Sequence, residues 1–81
     1  MSKRLIKFHD PHEVQDFANK VSRYPYDMDL KRGRYIVDAK SILSILSMGF
    51  DNKIELKVYE DESEELNGLW NDISPYLAPV R

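Results

Sequence analysis

The clearest structural signal in this chain lies in residues 38–50, which read DAKSILSILSMGF. Ser41 is a residue type favoured at the N-cap of a helix, because its hydroxyl can accept a hydrogen bond from a free main-chain N–H of the first turn. A mostly apolar run follows, and Gly49 can adopt the positive φ at which many helices end. The segment therefore predicts a short helix that begins after Ser41 and stops at Gly49.

Two further helices are predicted on either side of this segment. Asp10 at the N-cap, Pro11 at the first helical position and Glu13 at the third are typical of a helix start, and we expect this helix to end near Arg23. A last helix should follow the acidic run of residues 60–65, whose charges favour the positive end of the helix dipole. Both show apolar residues at the spacing i, i+3, i+4, i+7: Val14, Phe17, Ala18 and Val21 in the first, and Leu66, Leu69, Trp70 and Ile73 in the last.

Four segments have the composition and alternation of β-strands, namely residues 4–8, 26–31, 35–38 and 53–59. Residues 31–34 predict a hairpin turn around Gly33, and Asp51-Asn52 predicts a turn before the last strand. The order is therefore β-α-β-β-α-β-α. Strands with one apolar face need helices on that face. The prediction is an α+β fold, an open-faced β-sandwich in which three helices cover one face of a four-stranded antiparallel sheet.

Composition excludes several classes of protein. The chain has 81 residues, 12 Lys and Arg against 14 Asp and Glu, and a formal net charge of −2. A dedicated nucleic-acid-binding protein usually has a strong basic excess, so we expect no nucleic-acid partner. The absence of cysteine excludes disulfides and thiolate metal sites, and it fits a reducing compartment. No apolar run suits a membrane span or a signal core. We expect one domain over residues 1–81, in the cytoplasm, with no membrane partner; monomer and dimer stay open.

The segment Lys40-Ser41-Ile42 with Ser47-Met48-Gly49, together with the order of elements, resembles the HPr family, the small phosphocarriers of the bacterial sugar phosphotransferase system. The resemblance covers nearly the whole chain. In that family the signature Gly-Ile/Leu-His-Ala-Arg-Pro-Ala opens the first helix, and its histidine accepts phosphate from phosphoenolpyruvate through Enzyme I. Alignment without a gap from Ser41 places residues 8–14 on this signature. Asp10 then stands at the place of the histidine and His12 at that of the arginine.

The phase of the first helix supports this register. In the family, the buried positions lie four, seven, eight and eleven residues after the histidine. Counted from Asp10, they fall on Val14, Phe17, Ala18 and Val21, the apolar face identified above. The resemblance therefore implies an HPr-like protein that lacks the usual active-site histidine.

Asp10 and its neighbours allow several chemical interpretations. Asp10 is best explained as a helix cap, and the alternative is a phosphoacceptor that forms an aspartyl phosphate. His9 and His12 are surface residues, displaced phosphoacceptors or half of a metal site. No further ligands stand at convincing spacing, so we predict neither metal nor cofactor.

The resemblance implies a regulatory role for the short second helix. Ser41 matches the serine that HPr kinase/phosphorylase modifies in HPr proteins of Gram-positive type, and a plain N-cap is the alternative. We assign Ile45 and Met48 to the core and leave Ile42, Leu43 and Leu46 partly exposed as a docking surface; the alternative is their burial against the chain's own termini or a second copy.

The resulting hypothesis is a regulatory protein-binding module controlled at Ser41, not a stand-alone enzyme. Its expected partners are Enzyme I and sugar-specific components of the phosphotransferase system, HPr kinase/phosphorylase or a transcription regulator. The alternative hypothesis is a phosphocarrier that accepts phosphate from Enzyme I on His9, His12 or Asp10.

Overall fold

A computed structural model describes residues 1–51 and 53–78. Asn52, which the sequence places in a turn, and residues 79–81 of the predicted domain lie outside the described part. The chain forms β1 (Ser2–Ile6), α1 (Pro11–Val21), β2 (Met28–Arg32), β3 (Tyr35–Asp38), α2 (Ile42–Met48), β4 (Ile54–Val58), α3 (Glu64–Asp72) and a 3₁₀ turn (Ser74–Tyr76). The predicted order of strands and helices is confirmed.

The four strands form one antiparallel sheet in the spatial order β1-β4-β2-β3. β1 and β2 flank β4, with Ser2 and Met28 both opposite Val58. β2 and β3 form a hairpin whose tight turn contains Gly33 at φ 60°, a conformation that glycine adopts without strain. The predicted α+β sandwich is thus confirmed.

The core lies between one face of the sheet and the helices. The strands contribute alternate residues, as in β4, where Ile54, Leu56 and Val58 are fully buried. The two longer helices, together with Ile73 directly after α3, contribute the apolar stripes read from the sequence: Val14, Phe17, Ala18, Val21, Leu66, Leu69, Trp70 and Ile73 are all buried. The helical spacing therefore identified the buried faces of α1 and α3 correctly.

Element boundaries differ from the prediction by a few residues. β1 ends at Ile6 and not at Phe8, because its partner strand β4 begins at Ile54, directly opposite Ile6. β2 begins at Met28, since Tyr26 leaves the sheet and its hydroxyl donates to Glu65 on α3 (3.1 Å). α1 ends at Val21, two residues before Arg23, and the hydroxyl of Ser22 donates to the Ala18 carbonyl (2.7 Å).

The acidic run before α3 only partly interacts with the helix dipole. Glu64 and Glu65 lie in the first turn, whereas residues 60–62 precede the helix. Glu62 instead accepts hydrogen bonds from Arg4 (2.8 Å) and from the indole N–H of Trp70 (3.1 Å). The hydrogen bond from Arg4, followed by that from Trp70, lowers the pKa of Glu62. This contact ties β1 to α3.

α2 buries less of its surface than the other helices. Ile45 is its one fully buried residue, while Met48 is half-buried against the core and not a full core residue as the sequence indicated. Within the described residues, no helix has the length and apolar character needed to cross a membrane.

Candidate functional site

Asp10 occupies the N-cap of α1, as the sequence predicts. Its backbone is extended (φ −158°, ψ 169°), and its carboxylate accepts a hydrogen bond from the main-chain N–H of Glu13 at 3.0 Å. The first N–H groups of a helix are unsatisfied by the helix itself and form an anion-binding site. The Asp10 carboxylate therefore already takes one of the donors that a phosphoryl group would use at this end of α1.

His9 lies beside this cap and turns towards Glu13. Its main-chain N–H donates to the Glu13 carboxylate (2.8 Å), and its ring Nδ1 lies 3.2 Å from the same oxygen. In a capping box, the glutamate reaches back to the N–H of the N-cap residue. Here it reaches one residue further, to His9, whose side chain is 69% exposed.

His12 lies in the first turn of α1 and is exposed. The structure therefore brings His9, Asp10 and Glu13 into hydrogen-bonding contact and leaves His12 on the same turn. In the described ranges, 1–51 and 53–78, no three His, Asp or Glu side chains are arranged to hold a metal ion.

Three aromatic side chains, Phe8, Phe17 and Tyr76, pack against one another beside α1. Phe8 packs edge-on against Phe17, with ring centroids 5.2 Å apart, and also contacts Tyr76. The Tyr76 hydroxyl donates to the carboxylate of Asp16 on α1. Burial, followed by this hydrogen bond, raises the pKa of Tyr76 to about 12, so the hydroxyl stays protonated and continues to donate near neutral pH.

Ser41 caps α2 as the sequence predicts. Its hydroxyl oxygen accepts from the main-chain N–H of Ser44 (3.3 Å) and its hydroxyl lies 3.0 Å from that of Ser44. The residue as a whole is half-buried.

The carboxy-terminal end of α2 is bound by Arg32, a residue that the sequence analysis did not identify. Arg32, at the end of β2, donates to the main-chain carbonyl of Met48 (2.9 Å) and to the carboxylate of Asp51 (3.0 Å). Gly49 adopts φ 89°, and its N–H donates to Ile45. Arginine is favourable at the negative end of a helix, but the spacing of Arg32 from α2 gives no local signal of this contact.

The ends of α1 and α2 lie close together. Phe8, two residues before Asp10, packs edge-on against Phe50, two residues after Met48, with ring centroids 6.3 Å apart. The residues that precede α1 and those that follow α2 are therefore neighbours in the structure.

The predicted docking residues on α2 differ in exposure. Leu43 is 78% exposed and Leu46 is 38% exposed, whereas Ile42 is half-buried and packs against the core. Leu43 also borders a shallow groove of about 540 Å³ between α2 and β3, where Tyr35 and Ile36 are exposed as well. The exposure of Tyr35 and Ile36 had little signal in the sequence, because apolar residues occupy both faces of β3, which is typical of a strand buried on both sides.

Comparison with solved structures identifies the architecture. HPr-C-His from Thermoanaerobacter tengcongensis aligns with a TM-score of 0.68 and 23% identity, over 90% of either chain. The phosphocarrier protein HPr from Bacillus anthracis aligns with a TM-score of 0.68 and 18% identity, over 95% of this chain and 96% of that one.

The histidine-containing phosphocarrier protein of Mycoplasma aligns with a TM-score of 0.66 and 12% identity, over 91% of this chain and 86% of that one. No protein-family model and no curated protein sequence matches the chain. At these identities the similarity concerns the fold, and it agrees with the resemblance seen in the sequence. The chain therefore has an HPr-like fold.

Proposed function

We propose that this protein is an HPr-like regulatory module, related to the phosphoenolpyruvate-dependent sugar phosphotransferase system, that binds a partner protein and is controlled by phosphorylation of Ser41. The observation that carries the proposal is the position of Asp10. At the start of α1, where the HPr signature has its histidine, the carboxylate of Asp10 is bound to the N–H of Glu13. A carboxylate there repels phosphate and occupies a donor, so the site favours capping over phosphate transfer.

The environment of Ser41 supports regulation by phosphorylation. Ser41 is half-buried, and its side chain lies at the positive end of α2. A phosphoryl group adds roughly two negative charges at neutral pH, which the helix dipole and free main-chain N–H groups stabilise. Phosphate oxygens can replace the Ser41 hydroxyl as acceptor for the N–H of Ser44, so modification is compatible with an intact α2.

The apolar side chains next to Ser41 support a docking role. Leu43 lies two residues after Ser41 and is 78% exposed, and Leu46 follows one turn later. Exposed apolar side chains that cluster on one surface often mark binding sites. A phosphoryl group on Ser41 would place negative charge beside this surface and so alter its affinity for a partner. Candidate partners are Enzyme I, sugar-specific components, HPr kinase/phosphorylase and a transcription regulator, all in the cytoplasm.

Phosphorylation can be tested by incubating the protein with ATP and HPr kinase and locating phosphate by mass spectrometry. We expect one modification on Ser41, lost in Ser41→Ala and retained in Ser47→Ala, which removes an exposed hydroxyl from the far end of the same helix. Absence of label on Ser41 would remove the regulatory half of the proposal. Docking can be tested by titrating the wild type and the Leu43→Asp variant with each candidate partner. The variant should bind the partner more weakly than the wild type.

The second candidate is a phosphocarrier, and the exposure of His9 favours it. The His9 ring is 69% exposed and lies next to the amino-terminal end of α1, where an Enzyme I active site could reach it. Incubation with Enzyme I and labelled phosphoenolpyruvate should then give an acid-labile phosphate that is lost in His9→Ala or His12→Ala. An acyl phosphate on Asp10 would instead survive both substitutions and be released by hydroxylamine. Either result would contradict the regulatory proposal's claim that no carrier residue remains.

A further inference from the structure

The two edges of the sheet differ in their main-chain hydrogen bonds. At the β1 edge, the carboxy-terminal segment adds hydrogen bonds beyond the strand: Lys7 donates to the carbonyl of Tyr76 (2.9 Å) and Ala78 donates to that of Leu5 (2.8 Å). At the opposite edge, β3 pairs with β2 alone, and no other strand in residues 1–51 and 53–78 pairs with it. The outer side of β3 therefore presents main-chain groups that another strand could bind.

The register of the hairpin shows which groups these are. Asp29 pairs with Asp38, and the N–H of Ala39 donates to the carbonyl of Met28 (3.0 Å), so Ala39 points its main-chain groups towards β2. In an antiparallel ladder the direction alternates with each residue. Tyr35 and Val37 therefore also bond to β2, whereas Ile36 presents its N–H and carbonyl, and Asp38 its N–H, to the open edge. The Asp38 carbonyl already accepts from the main-chain N–H of Ser41 (3.1 Å).

The side chains of β3 lack most of the usual protection of an edge. Protected edges commonly carry lysine, proline or a bulge. β3 reads Tyr-Ile-Val-Asp, and it exposes 59% of Tyr35 and 62% of Ile36. Tyr35 and Val37 share a face with the groove beside Leu43, while Ile36 lies on the open face of the sheet opposite Lys31.

Symmetry restricts how two copies of β3 could pair. Directly opposed residues of an antiparallel pair point to the same face, so a two-fold axis must pass through a pair of identical residues. If the two-fold axis passes between the two copies of Ile36, Arg34 lies opposite Asp38 of the second copy and Tyr35 lies opposite Val37. A centre at Tyr35 sets Ile36 against Arg34, and a centre at Val37 sets Ile36 against Asp38. Only the centre at Ile36 pairs opposite charges with each other and apolar residues with each other.

We propose that two copies of this protein associate through β3, antiparallel and centred on Ile36, to form one continuous sheet. The N–H and carbonyl of Ile36 and the N–H of Asp38 then find partners, and the carboxylate of Asp38 forms an ion pair with Arg34 of the second copy. Tyr35 and Val37 of the second copy cover the apolar groove beside Leu43. This self-complementary edge goes beyond the proposed function and does not depend on it.

Sedimentation of the full chain from micromolar to millimolar concentration tests association. The wild type should show a monomer–dimer equilibrium. Ile36→Lys should weaken it about tenfold, because it sets two lysines directly opposite each other on the axis. All substituted side chains are exposed, so the variants should remain folded by circular dichroism. In the wild type, the amide N–H of Ile36 should exchange with solvent more slowly as concentration rises.

Charge reversal tests the register. Arg34→Asp and Asp38→Arg should each weaken the dimer a few-fold, and the double variant should restore it, since the ion pair is re-formed with opposite sign. Arg23→Asp, at an exposed site beyond α1, changes net charge as Arg34→Asp does and should have no effect. A protein that stays monomeric at millimolar concentration overturns the proposal. So does a dimer that is insensitive to Ile36→Lys, or a double variant no stronger than the single ones.

Discussion

The carboxylate of Asp10 accepts a hydrogen bond from the main-chain N–H of Glu13 at 3.0 Å, across the first turn of α1. Glu13 in turn accepts from the main-chain N–H of His9 at 2.8 Å. The two carboxylates thus satisfy main-chain donors on either side of the helix start. This arrangement stabilises α1 and places two carboxylates at the amino-terminal end of the helix.

Removal of the Asp10 cap should destabilise the fold. We expect Asp10→Ala to lower the free energy of unfolding by about 1 kcal/mol, because one N–H of the first turn loses its acceptor. Asp10→Asn should cost much less, since the amide oxygen can still accept. Urea denaturation measures both, with His12→Ala as the control on the same exposed turn. Equal effects of Asp10→Ala and His12→Ala would show that the cap contributes nothing.

Ser41 should contribute to stability independently of any phosphorylation. We expect Ser41→Ala to lower the free energy of unfolding by about 1 kcal/mol, whereas Ser41→Asp should keep the cap and benefit from the helix dipole. Ser47 is the matched control, because it lies at the opposite end of α2 and is exposed. Ser47→Asp should lower the free energy of unfolding, because it places a negative charge at the negative end of the helix dipole, whereas Ser41→Asp should not lower it. Denaturant titration of the three variants gives the comparison, and a reversed order would contradict this account of α2.

The contact between Arg32 and Met48 should hold the end of α2. In Arg32→Met, the Met48 carbonyl and the Asp51 carboxylate both lose a donor. We expect the free energy of unfolding to fall by about 1.5–3 kcal/mol, the range for hydrogen bonds that involve a charged group. Amide exchange in α2 should accelerate more than in α1. Arg23→Met, which removes an exposed arginine beyond α1, is the control and should leave exchange in α2 unchanged.

Sequence patterns predicted the features that depend on neighbouring residues. The caps at Asp10 and Ser41 and the stop at Gly49 follow from residue type and position alone. The buried faces of α1 and α3 follow from the helical period, and that of β4 from strict alternation. Each of these signals lies within one element, so no knowledge of the tertiary structure was needed to read it.

Contacts between distant elements could not be predicted from local sequence patterns. Nothing local links Arg32 to the end of α2, or Glu62 to Arg4 and Trp70, because the strand order that brings them together is set by packing of the whole chain. The same is true of Ile36, whose exposure depends on β3 lying at the edge of the sheet. Met48 was assigned to the core because the helical period gives the direction of a side chain and not how completely neighbours cover it.

Two tyrosines should make the protein sensitive to alkali. The hydrogen bond from Tyr24 to Asp72, followed by burial, raises the pKa of Tyr24 to about 12, and the pKa of Tyr76 is also about 12. Both hydroxyls are therefore protonated in the folded state at pH values where an unfolded chain, with a tyrosine pKa near 10.0, begins to ionise. The stability they contribute is complete below pH 10 and is lost as the pH rises through about 12.

Thermal unfolding followed between neutral pH and pH 12 should show this loss. Tyr24→Phe and Tyr76→Phe should each reduce the slope above pH 10, because one ionising group is removed from the linkage. Tyr35→Phe is the matched control, since Tyr35 is 59% exposed on the edge strand, and it should leave the slope unchanged. If the double variant Tyr24→Phe/Tyr76→Phe lost stability with pH as steeply as the wild type, other groups would have to account for the alkaline transition. A reduced slope in Tyr76→Phe, together with faster amide exchange at the start of α1, would show that the contact between Tyr76 and Asp16 supports the helix on which Asp10 lies.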